Sequence, residues 1–114
     1  MTKRGIDLLQ GTLEFLILET LKDGEAKHGF GVLRWIRDAS QGALKIEEGA
    51  LYPALHRLER KGLVEAEWGL SEKNRKAKYY TLTSAGEKQL AREEVNWGQY
   101  VDLVGRIIAT AGAD

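Results

Sequence analysis

The sequence contains no cysteine, only two histidines and a single proline in 114 residues. Without cysteine it can form neither a disulfide framework nor a thiolate metal site, and His28 and His56 stand too far apart to supply a metal-ligand spacing. An excess of one charge is also missing. Seventeen basic and seventeen acidic residues leave a formal net charge of zero, which argues against a general polyelectrolyte binder. Nor is there a long apolar run. The nearest candidate, "LEFLILETL", is short, is broken by Glu14 and Glu19 and shows no cleavage site, so the expected compartment is the cytoplasm. No long repeat, low-complexity segment or interdomain linker is visible.

Catalytic constellations are missing too. The sequence offers no nucleophile with a positioned base and no paired-carboxylate site. Glu47 and Glu48 are adjacent, so on a helix they diverge, and they are better explained as favouring the positive end of its dipole. Thirteen glycines include no phosphate loop of the GxxxxGK[ST] type. The expectation is therefore a protein that is not an enzyme and needs no cofactor or metal.

What is present suits one globular domain. The 43% of hydrophobic residues can fill a modest core, and at this length a partner subunit would help to stabilise it. Thr12 can cap a first helix to about Lys22, with Leu13, Leu16, Ile17 and Leu21 at helical spacing and Gly24 as the stop. Phe15 and Leu18 fall off that stripe, and a helix apolar on nearly all sides is a central one. A second helix is predicted from about Gly29 to Ala39, with Phe30, Leu33 and Ile36 inward and Arg34 and Arg37 outward. His28 before it serves packing or capping, and Trp35 sits half exposed among arginines.

The stretch "EEGALYPALHRLERKGLV" carries the third helix. Proline is harmless near a helix start, where N–H groups lack partners anyway, so Pro53 puts the start near Gly49. Leu51, Leu55 and Leu58 then share one side, Pro53, His56, Arg57 and Arg60 lie opposite, and Tyr52 is on the flank. Gly62 ends the helix. Two strand-like runs follow, "LVEAEWG" and "AKYYTLT", joined by the basic "LSEKNRK" as a half-buried hairpin, with Trp68 expected to pack beneath it. A last helix opens at Ser84, whose spacing to Glu87 suggests a capping box, and runs to about Ala109. It carries two apolar rows, Trp97, Val101, Val104 and Ile108 beside Tyr100, Leu103 and Ile107, which imply two packing partners. Ala91, Gly98, Gly105 and Gly112 recur at intervals of seven, as where another helix approaches closely.

Helix, helix, helix, hairpin, helix is the order of a winged helix-turn-helix, in which the third helix enters the DNA major groove and the hairpin loop reaches phosphates. The expected fold class is thus mainly α with a small β-hairpin (α+β). Residues 1–83 form the DNA-binding domain and residues 84–114 a long C-terminal dimerisation helix, as one compact unit. On this reading Tyr52, His56 and Arg60 offer donors to base edges or phosphates, and Arg57 is placed for phosphate. Arg34 and Arg37 are either phosphate contacts or solubilising charges. The wing supplies Lys73, Asn74, Arg75, Lys76 and Lys78. A winged helix used only for contact with another protein is the alternative.

Four stretches, "QGTLEFLILETL", "HGFGVLRWI", "EEGALYPALHRLERKGLVEAEW" and "KYYTLTSAGEKQL", resemble the PadR family of bacterial transcriptional regulators, particularly its compact short-tailed members. The pattern "LYPAL.RLE..GL" is the most specific part. The resemblance implies a homodimeric repressor on a promoter operator, with the last helix crossing the partner's first helix. Trp97, Tyr100, Val101, Val104, Ile107 and Ile108 would form that dimer contact. In some short members a tryptophan on the last helix stacks on flat aromatic ligands at the dimer centre. Trp97 holds a similar place, with Val101, Phe15 and Leu18 as neighbours, although dimer core is the first reading of Trp97.

Overall fold

A computed structural model of the protein describes residues 11–113. Its elements are α1 (Thr12–Thr20), α2 (Gly29–Ala39), α3 (Glu48–Arg60), β1 (Val64–Leu70), β2 (Lys76–Leu82) and α4 (Ser84–Gly112). This is the α+β winged helix-turn-helix order expected from the sequence.

The helix α1 sits at the centre and packs on α2, α3 and α4. Ile17, Leu18 and Leu21 are buried, while Leu13, Phe15 and Leu16 pack at the edge of the same core. The helix is entered through Gly11 at φ 88°, so Thr12 is its first helical residue and not its cap. Before α2 the imidazole of His28 does cap: Nδ1 accepts from the Gly31 N–H at 3.0 Å. Val32 and Ile36 provide the buried side of α2, and Phe30 points outward, contrary to expectation. Two residues advance a helix by about 200°, so Phe30 lies nearly opposite Val32.

Pro53 lies in the second turn of α3, not the first. It has no N–H for the Gly49 carbonyl four residues back, and it occupies the exposed side, where water can hydrate that oxygen. Leu51, Ala54, Leu55 and Leu58 are buried opposite. The end of α3 is a Schellman motif: Gly62 N–H donates to the Glu59 carbonyl and Leu63 N–H to that of Leu58, both at 3.0 Å. Gly62, at φ 75°, supplies the left-handed residue that the motif needs.

The strands pair antiparallel, from Val64 opposite Leu82 to Leu70 opposite Lys76. Reciprocal backbone bonds between Lys27 and Tyr80, 3.1 and 2.9 Å, tie β2 to the segment before α2 and fix the hairpin beside the helices. The cap of α4 is Thr83, one residue before the expected Ser84. Its Oγ1 accepts from the Gly86 N–H at 3.0 Å and donates to the Gly62 carbonyl at 2.6 Å. Glu87 is therefore one position too late for a capping box. The helix has 29 residues, so it extends about 43 Å at 1.5 Å per residue. Gly86 and Leu90, near its start, are its buried residues; its middle lies against α1, where Trp97 meets Phe15, and the exposed apolar rows follow.

Candidate nucleic-acid interface

The outward face of α3 carries Tyr52, His56, Arg57 and Arg60, as the helical spacing predicts. The register of the hairpin turns Trp68, Lys76 and Lys78 to one side of the sheet, because alternate residues of paired strands share a face. The turn is closed by Ser71 N–H donating to the Arg75 carbonyl at 2.8 Å, with Asn74 at φ 61°. Between α3, the start of α2 and this face of the hairpin runs a groove of about 600 Å³. Tyr52 and His56 line it from α3, Arg34 from α2, and Lys73, Arg75, Lys76 and Lys78 from the wing. Basic residues far apart in the sequence thus converge on one surface.

The structure does not bring every expected residue to that groove. Arg57 turns to the other side, where its Nε donates to Glu14 of α1 at 2.8 Å, and Lys61 donates to the second oxygen of the same carboxylate at 2.8 Å. Burial pushes the Glu14 carboxyl up, but these two hydrogen bonds and charges outweigh it and hold the group below the usual glutamate range. Arg60, Arg37 and Asn74 are exposed outside the groove lining, and Arg37 lies 3.6 Å from Asp38. Lys78 reaches Glu59 at 3.2 Å, which ties the wing to the last turn of α3.

Two exposed aromatic rings of the groove were not among the sequence candidates. Phe30 is 54% exposed, and Trp68, expected to pack under the wing, is 67% exposed. Trp68 shares its sheet face with buried Val64 and Tyr80, but the core ends before it. The signal was its register: Trp68 lies opposite Lys78 and two residue pairs from Lys76, on the same face, and a core tryptophan seldom has lysines for neighbours.

A second depression, about 360 Å³, lies between the start of α1 and the middle of α4 and includes Phe15, Trp97 and Tyr100. The Trp97 ring centroid is 6.2 Å from that of Phe15 and 6.0 Å from that of Tyr100. Val101 is half exposed on the next turn, whereas Leu18 is wholly buried in the core and cannot line an interface cavity. Beyond Trp97 the apolar rows are open: Tyr100, Val101, Leu103, Ile107 and Ile108 are exposed. A Cβ added at Gly98, Gly105 or Gly112 would meet nothing within 4 Å. Where α1 meets α4, burial and a hydrogen bond to Glu94 push the Glu19 carboxyl up to about 7. The hydrogen bond from Lys22 at 2.7 Å, followed by that with Glu19, holds the Glu94 carboxyl below the usual glutamate range.

Residues 17–92 match the family described as "Transcriptional regulator PadR-like family". A PadR-like transcription factor from Bacteroides fragilis is 33% identical, over 85% of this chain and 90% of that one, with a TM-score of 0.71. A PadR family transcriptional regulator from Eggerthella lenta is 32% identical over 87% of this chain and 83% of its own, TM-score 0.75. A PadR-like regulator from Bacillus cereus is 28% identical over 88% and 94%, TM-score 0.73.

Proposed function

The chain belongs to the PadR-like family of transcriptional regulators, and from that premise we propose that it is a homodimeric repressor of a promoter with a pseudo-palindromic operator. The observation that carries this reading is the convergence of the α3 face and the basic wing on one groove. A recognition helix enters the major groove and reads base edges, while the wing follows the backbone. His56 and Tyr52 line the groove from α3 together with the wing cations, and Arg60 extends the reading face by one turn, suited to guanine O6 and N7. Arg34 and the wing cations Lys73, Arg75, Lys76 and Lys78 take phosphates.

Dimerisation is supported by the open apolar rows of α4, since an exposed apolar surface of this extent marks an interaction site. Two reading heads joined through α4 would each take one half-site and exclude polymerase from the promoter. Release by a small planar aromatic ligand is the finer part of the proposal. Trp97 and Phe15 supply rings for stacking, with Val101 beside them, and a ligand there would change the spacing of the heads. Among the described residues no helix is long and apolar enough to cross a membrane. Action on promoter DNA places the protein in the cytoplasm.

The test is fluorescence anisotropy of the purified protein with its own upstream DNA and a scrambled duplex, at two salt concentrations. A preference of about 10³-fold or more for the native sequence is the expected result. Equal binding to both duplexes would overturn the assignment of that upstream region as the operator, and binding to neither would overturn the DNA-binding role.

A further inference from the structure

Phe30 and Trp68 flank the groove without filling the core. Their exposures of 54% and 67% are high for rings that bury easily, and water contact over so much apolar surface is unfavourable. Each ring also carries a cation. The Arg34 guanidinium lies 5.6 Å from the Phe30 centroid, one helical turn along α2, and the Lys76 ammonium lies 5.9 Å from the Trp68 centroid across the hairpin. Both rings line the groove together with Tyr52, His56 and the wing cations, against the single acid Glu72 among its described lining residues.

That combination selects a partner. A surface that alternates large rings with positive charges fits a polymer that alternates anionic groups with apolar patches, and a DNA duplex does so. Its phosphates repeat along each strand, with deoxyribose and, in the major groove, thymine methyl groups between them. A cation held on a ring is presented to a phosphate while the rest of the ring is left for the neighbouring apolar patch. Continuity with the α3 reading face puts both rings within the footprint of the same duplex.

We propose that Phe30 and Trp68 are DNA-contacting residues that make apolar contacts with deoxyribose or thymine methyl groups beside the phosphates taken by Arg34 and Lys76. This rests on the DNA-binding reading of the groove. The two rings add affinity without neutralising charge, and their removal therefore has a signature that removal of a cation lacks. Losing a phosphate contact flattens the dependence of log K on log salt; losing an apolar contact lowers log K at every salt and leaves the slope alone.

The experiment uses a duplex enriched from a random pool by the wild-type protein, titrated by anisotropy over a salt series. Phe30→Ala and Trp68→Ala are each expected to weaken binding about tenfold with an unchanged slope, and Trp68→Phe to recover most of the loss. Lys76→Ala is the control and should lower the slope by about one. Unchanged affinity in both alanine variants would overturn the proposal. So would a slope lowered as in Lys76→Ala, because the ring would then serve only to position the cation. A protein with Trp35→Phe and Trp97→Phe, which keeps Trp68 as its single tryptophan, gives a readout that leaves both groove rings in place. Its emission should shift to the blue on addition of the duplex, and emission that does not move counts against the contact. If the wild type enriches no duplex, the DNA-binding reading itself fails. If it binds well and the variants bind equally well, that reading stands and the role of the rings falls.

Discussion

The ring of Tyr52 on α3 lies over the bare Cα of Gly29 on α2: a Cβ at Gly29 would stand 2.6 Å from its Cε1. The contact seats the ring at the junction of α3 and the groove, and burial followed by the Glu48 charge raises the Tyr52 hydroxyl above the ordinary tyrosine range. A ring edge can swing away, which a backbone cannot. Gly29→Ala should therefore change stability by no more than about 1 kcal/mol but weaken specific DNA binding about tenfold by displacing Tyr52. Anisotropy beside a urea melt checks both, and unchanged binding would show that the Tyr52 position is immaterial.

Gly86→Ala is the contrasting case. Its Cβ would press on the Leu63 carbonyl, which is backbone, at the point where α4 docks on the loop after α3. Overpacking of this kind destabilises by up to about 3 kcal/mol or more. A urea midpoint close to that of the wild type would show that α4 can shift at no great cost.

Helix and wing should respond differently to substitution. Arg60→Ala or His56→Ala should erode sequence discrimination, with about 1 to 3 kcal/mol at stake for a bidentate base contact. Arg75→Ala with Lys76→Ala should weaken all duplexes alike and lower the salt slope by about two. The same pattern from both sets would mean that readout and backbone positioning are not divided in this way.

Glu14 holds Arg57 and Lys61 away from the groove with two hydrogen bonds of 2.8 Å. Glu14→Gln removes that anchor charge and frees both cations for phosphate. Affinity for duplexes of any sequence should rise a few-fold, and the salt slope should steepen by about one for each cation that reaches a phosphate, about two for both. An unaltered slope would mean that neither cation reaches DNA.

Stability should also depend on Glu19. Its folded-state value, pushed up to about 7 by burial and by Glu94, lies above the ordinary glutamate value of 4.5. Between these values the folded chain holds a proton that the unfolded chain has released. Stability from this site is therefore fully present below about pH 4.5 and lost as pH rises through about 7, then level above it. Glu19→Gln should flatten the thermal-melting profile between pH 5 and 8, by the loss of that linkage at about one site. A profile with the wild-type slope would place the titration elsewhere.

The open rows of α4 bear on assembly. Ile107→Asp with Leu103→Asp puts two charges on exposed apolar positions that no described residue covers. Light scattering should give a dimer for the wild type at micromolar concentration and half that mass for the variant. A wild-type monomer would remove the basis for two joined reading heads.

Much of the fold was legible in the sequence because periodicity records which side of an element is dry. Leu51, Leu55 and Leu58 at helical spacing marked the inner side of α3, and the second helix begins and ends at Gly29 and Ala39 as predicted. Gly62 marked a helix stop because its place in the Schellman motif needs a positive φ. The element order and the "LYPAL.RLE..GL" pattern pointed to a winged helix that binds DNA. Local signals were less reliable where several residues compete for one role: Thr83, not Ser84, caps α4, and Gly11 precedes α1 where Thr12 was expected to cap.

What the sequence determined by itself was the set of elements, the dry and wet faces of α3 and the type of fold, since each depends on neighbours a few residues away. Only the tertiary structure decided where each exposed side chain is directed. It gave Arg57 to Glu14, 43 residues away, and put Leu18 in the core, while Trp68 was left in the groove beyond the end of that core. These outcomes depend on pairings across the chain and on where the packed interior stops, which spacing along one segment does not encode.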